Sequence, residues 1–136
     1  MDQLALLTPV LVLIIWTFII FLIMAFGRVS FMNNPQDAAE SKDYKDNLPA
    51  WVNRTADNYN HLFEQPTLFY AIAISIALMG HGDQTAVTCA WSFVILRVVH
   101  SLVQSTVNLV MLRFGVFALS WVALLVMTIR EALVIF

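Results

Sequence analysis

The chain has 136 residues, 60% of them hydrophobic and only 12% charged, with a formal net charge of −2. So few polar side chains cannot cover a soluble domain of this length, and the faintly acidic balance offers no footprint for nucleic acid. One cysteine, Cys89, rules out an intramolecular disulfide framework or a paired-thiol metal site, so the chain reads as a small integral membrane protein.

Leu4 to Phe26 carries no charged residue and is long enough to cross the hydrocarbon core, which takes roughly 20 residues. It lacks a basic leader, because Asp2 is the only charge before it, and it reads as a retained first helix over about 4–27 rather than a secretory signal. A connection over about 28–52 follows, with Pro35, Pro49, Arg28, Lys42 and Lys45, and reads as a long solvated loop. The spacing predicts a second helix over about 53–80, closed by Gly80-His81-Gly82-Asp83, a third over about 85–112 and a fourth over about 114–135. The expected fold is one all-α membrane domain over 1–136, a bundle of four transmembrane helices whose last three are antiparallel neighbours. Arg28, Lys42, Lys45, Arg54 and Arg113 fall on one side and Arg130 on the other. The positive-inside rule then places the long loop in the cytoplasm and both termini away from it.

Two polar stripes interrupt the apolar runs. Arg97, His100, Gln104 and Asn108 fall in a narrow arc at about 100° per residue, flanked by Ser101 and Ser105. Asn53, Asp57, Asn60 and Glu64 likewise share a face if this stretch is helical. An arginine at bilayer depth costs roughly 2.5–3.5 kcal/mol, so Arg97 needs a partner, and Glu64 is the acidic group nearest in depth. Facing stripes read as an internal polar site; the alternative is interhelical glue, in which such groups only hold the bundle together. His61, His81 and His100 have no spacing that suits a metal, and the scattered tryptophans and methionines suit packing.

These residues resemble the MAPEG family, membrane-associated proteins of eicosanoid and glutathione metabolism, in its bacterial branch. The segment NHLFEQPTLFYA is similar to the family's Asn, Glu and Pro region, LRVVHSL is similar to its third-helix Arg-x-x-His, and Arg113 lies where the family ends that helix with another arginine. The resemblance implies a homotrimer in a lipid bilayer, here the inner membrane of a bacterium, that binds glutathione as co-substrate between subunits. It implies a transferase or peroxidase acting on membrane-soluble electrophiles. Residue by residue, Asn60 and Glu64 match the polar pair that holds glutathione, Arg97 and His100 match the third-helix motif, and Arg113 matches the arginine that stabilises the thiolate. Gln104 stands where the family has a tyrosine that contacts glutathione, and Glu64 is two residues before Pro66, closer than in the family's enzymes. Those departures keep open a non-catalytic scaffold that binds a lipid or a protein. A proton-coupled carrier using Glu64 and His100 ranks below both, because four helices leave little room for alternating access and no broken helix is evident.

Overall fold

The computed structural model describes residues 3–31 and 48–136. The uncharged first run forms α1 (Gln3–Phe31), and four further helices follow: α2 (Ala50–His61), α3 (Gln65–Leu78), α4 (Gln84–Ser105) and α5 (Val110–Ile135). The expected loop is shorter at both ends than its sequence limits; Lys42 and Lys45 lie outside the described residues. Each of α1, α4 and α5 is long and apolar enough to cross a membrane. The 22 residues of α4 cover about 33 Å at 1.5 Å per residue, against roughly 30 Å of hydrocarbon.

The expected second helix is two helices. Pro66 has no N–H to donate, and its ring clashes with the carbonyl four residues earlier, so a helix cannot run through it undisturbed. The chain leaves α2 through tight three-residue turns, Phe63 N–H to Asn60 O at 3.1 Å and Glu64 N–H to His61 O at 3.2 Å. It restarts with Pro66 in the first turn of α3, where the missing donor is harmless. The two pieces still make one traverse, because their contacts with α4 stay in antiparallel register. Asn58 meets Ser105, Gln65 meets Arg97, and Phe69 stacks on Phe93 with ring centroids 4.5 Å apart.

The expected third helix also stops early, at Ser105 rather than Leu112. Thr106 turns its hydroxyl onto Leu102 O, and Asn108 takes a left-handed conformation at φ +49°, which Asn tolerates better than most residues. Asn108 N–H then closes the helix end on Val103 O at 2.7 Å. Asn108 therefore sits in the turn, outside the stripe. At the opposite end, Gly80 at φ +72° closes α3 with Gly80 N–H on Ala77 O and His81 N–H on Ile76 O, the double bond of a glycine-terminated helix.

Burial shows which helix is central: half of α4's most apolar window is enclosed, against 17% for α5. Leu6, Leu13, Phe69, Ala73, Ala90, Phe93 and Met127 interlock around it as the core. Close approach of α2 to α1 depends on Gly27, where a Cβ would lie 2.9 Å from Val52 Cγ2. At the terminal end, Arg130 grips both oxygens of Asp83 at 3.1 and 2.5 Å, while Asp83 also caps α4 through Ala86 N–H at 2.8 Å. His81 Nδ1 and Glu131 Oε1, 2.5 Å apart, tie the same turn to α5.

Candidate functional site

The polar face of α4 survives as Arg97, His100 and Gln104, all buried, because spacings of three and four return side chains to one side of a helix. Arg97 is 1% exposed, yet no carboxylate lies within ion-pair distance of it among the described residues. The expected pairing with Glu64 is corrected. Arg97 Nη1 donates to Gln65 Oε1 at 3.3 Å and Nη2 to the His61 carbonyl at 3.3 Å. The break before Pro66 accounts for both contacts. It swings Gln65 into the bundle, turns Glu64 outward, and ends α2 in tight turns that leave the His61 carbonyl able to accept from Arg97 as well as from Glu64 N–H. Gln65 Oε1 also accepts from Ser120 Oγ of α5 at 3.0 Å, so one amide oxygen joins three helices.

The face of α2 that turns inward also differs from the predicted stripe. Val52, Thr55, Ala56 and Asn58 are buried, whereas Asp57, Asn60 and Glu64 are exposed. Asn58 Nδ2 donates to Ser105 Oγ at 3.0 Å, and Ser101 Oγ donates to Asn58 Oδ1 at 2.8 Å. Asn58, Gln65 and Ser120 are polar groups the stripes overlooked. Pro66 was the signal for Gln65, since a proline there starts a new helix at its own doorstep. Nothing in the spacing marks Ser120.

A cleft of about 210 Å³ opens beside this network, lined by His61, Glu64, His100, Val110, Arg113, Phe114 and Phe117. His61 Nδ1 lies 3.0 Å from Glu64 Oε2, and the His61 and His100 rings meet edge-on with centroids 6.3 Å apart. Arg113 belongs to the first turn of α5, not the end of the preceding helix, and its Nη1 donates to Asn108 Oδ1 at 2.7 Å. His100 Nδ1 is buried without a hydrogen-bond partner among the described residues. The cleft thus has a cationic wall, a carboxylate and an aromatic floor.

Of the six sequence candidates, Glu64, His100 and Arg113 converge on the cleft. Arg97 stands behind it and reaches it only through the His61 carbonyl. Gln104 is buried outside the lining, with its Oε1 unpartnered among the described residues, and Asn60 is exposed and is not part of the lining. His61 is the lining residue that sequence reasoning set aside, because it looked only for metal spacing.

Comparison with known proteins narrows the meaning of this arrangement. The MAPEG family model matches residues 6–133, while no curated protein and no solved structure matches the chain. The match takes in every helix that builds the cleft and all but the ends of the chain, so the chain belongs to the MAPEG family.

Proposed function

We propose that this protein is a glutathione-dependent transferase or peroxidase acting on membrane-soluble electrophiles, with Arg113 holding the thiolate. The carrying observation is the cleft that brings Arg113, His100, His61 and Glu64 together in a MAPEG chain. A thiol is a weak nucleophile near neutral pH, and a nearby fixed cation favours its ionised form. Arginine suits that task because it stays charged and presents a fork of donors. Asn108 anchors one arm of that fork and leaves the others for a ligand. Glutathione's groups fit the lining: Arg113 for an anionic group, the second oxygen of Glu64 for its ammonium, and Phe114 and Phe117 for an apolar electrophile.

At about 210 Å³ the cleft is smaller than the roughly 300–1,000 Å³ of small-molecule sites. A second copy of the chain supplies the missing wall in this reading, which makes the protein a homotrimer with its sites between subunits. The positive-inside rule puts the cleft near the cytoplasmic face of a bacterial inner membrane, since Arg28, Arg54 and Arg113 gather at that end.

The test is conjugation of glutathione to 1-chloro-2,4-dinitrobenzene by detergent-purified protein. Arg113→Ala is expected to lower kcat/KM about 10²- to 10³-fold, the scale for losing one charge-stabilising donor. A wild-type protein that neither binds nor conjugates glutathione overturns the reading. Gln104 favours one second reading, a non-catalytic scaffold, because a buried amide away from the cleft replaces the family's glutathione-contacting tyrosine. A lipid or protein that co-purifies stoichiometrically with an inactive protein supports that alternative.

A further inference from the structure

His61 stands beside the thiolate-binding arginine with features the reading above does not use. Its Nδ1 lies 3.0 Å from Glu64 Oε2, and a carboxylate only accepts, so this bond places the ring proton on Nδ1 and leaves Nε2 as the basic atom. The ring lines the same cleft as Arg113. Its backbone is pinned as well: Arg97 Nη2 donates to the His61 carbonyl at 3.3 Å, and Glu64 N–H donates to the same carbonyl at 3.2 Å. A ring oriented by a carboxylate and facing a ligand cleft is the arrangement that general bases share. Among the described residues, the other charged or titratable groups that share its cleft or bond to it are Glu64 on the same turn, Arg97 and His100 on α4, and Arg113 on α5, with Asp57 one turn back on α2.

We propose that His61, oriented by Glu64, is the acid–base residue of this cleft: it takes the proton of a bound thiol and returns it to oxygen on the electrophile. The inference rests on the thiol-dependent reading above. The proton on sulfur moves to His61 Nε2 as the S–H bond breaks, and the sulfur pair forms a bond to the electrophilic carbon. The carbon–oxygen bond of a strained ether, or the π bond of an enone, breaks in response. His61 then delivers its proton to that oxygen, so thiol and electrophile add with no oxidant, reductant or leaving group. Arg113 stabilises the sulfur charge between the two transfers. The substrate class this favours is an electrophile whose product needs a proton, rather than an aryl halide, whose halide leaves without one.

The test compares His61→Gln and His61→Gly with wild type in detergent, using glutathione with styrene oxide and, in parallel, 1-chloro-2,4-dinitrobenzene. Near neutral pH the variants are expected to lose at least about 100-fold in kcat/KM on the epoxide, with glutathione affinity within about threefold of wild type. Added imidazole is expected to restore part of the rate in His61→Gly, which a merely structural role does not allow. Near pH 10 most of the free thiol is already ionised, and the aryl-halide rates of variant and wild type are expected to converge. Glu64→Gln is expected to lose about 10-fold in kcat at saturating glutathione near neutral pH, whereas loss of its contact to the ammonium raises KM for glutathione, so this kcat carries the test if the His61 variants do not fold, and an unchanged kcat overturns the proposal. His61 variants that bind glutathione and match wild type near neutral pH overturn the proposal while leaving the thiol-dependent reading intact. A wild-type protein inactive with both electrophiles overturns that reading and this inference with it.

Discussion

At the scale of single residues, the central problem is a guanidinium enclosed without a carboxylate. Arg97 is held by the Gln65 amide oxygen and the His61 carbonyl. Hydrogen bonds to a charged group contribute roughly 1.5–3 kcal/mol each, and a buried charge that loses its partner is strongly destabilising. Gln65→Leu is therefore expected to destabilise the bundle by about 2–3 kcal/mol, read from reversible unfolding in mixed micelles. Gln65→Leu with Arg97→Met is expected to be less destabilised than the two single effects summed, because no charge is left unpaired. Strict additivity of the two changes refutes that coupling. The α4 stripe was legible from spacing alone, since 97, 100 and 104 share a face in any helix. Arg97's partner was not, because it depends on a turn that moves Glu64 outward and Gln65 inward.

At the scale of elements, two irregular segments aim the side chains of the cleft. The turn before Pro66 turns Glu64 toward His61, and the turn at 106–109 delivers Arg113 to the start of α5. Asn108 serves the second turn twice, by accepting φ +49° and by anchoring Arg113 Nη1. Asn108→Gly separates the two roles, since glycine adopts that backbone freely. Thermal stability is expected to stay within about 0.5 kcal/mol of wild type, while glutathione conjugation falls because the guanidinium loses its tether. Asn108→Val, forced into the left-handed region, is expected to cost about 1–3 kcal/mol. Equal stability of the Gly and Val variants contradicts the strained-turn account. Pro66 announced a break, yet the apolar pattern on either side of it argued for one helix, and the register with α4 shows how both hold at once. Residues 106–109 carry neither Gly nor Pro, so the end of α4 had no such herald.

Across the whole molecule, the two ends of the bundle are chemically distinct. One end gathers the cleft, Arg28 and Arg54; the other holds the α3–α4 turn against α5. There the Arg130 guanidinium and then the Ala86 amide hold the Asp83 carboxyl down at about 2, below its ordinary 3.8. A carboxyl lowered in the folded state adds stability above its ordinary value and loses that contribution as pH falls through the folded one. Thermal stability in detergent is thus expected to decline between about pH 4 and pH 2, and Asp83→Asn is expected to remove that part of the decline. An identical pH profile for Asp83→Asn and wild type contradicts this role. Because Asp83 is well exposed, screening keeps the effect small.

Composition by itself determined that this chain lives in a membrane, because 60% hydrophobic residues with 12% charge leave no way to build a wetted surface. Helical periodicity determined that α4 carries an internal polar face, and short motifs pointed to the MAPEG family that the whole-chain match establishes. Only the tertiary structure decided which face of α2 turns inward, that both terminal nitrogens of Arg97 donate to neutral oxygens, and that His61, Glu64, His100 and Arg113 share one cleft. The reason is physical. A period states which residues lie on one side of a helix, while the neighbour they meet is set by where helices break and how their ends are capped. Those breaks fall at two short turns, one marked by a proline and the other only by an asparagine.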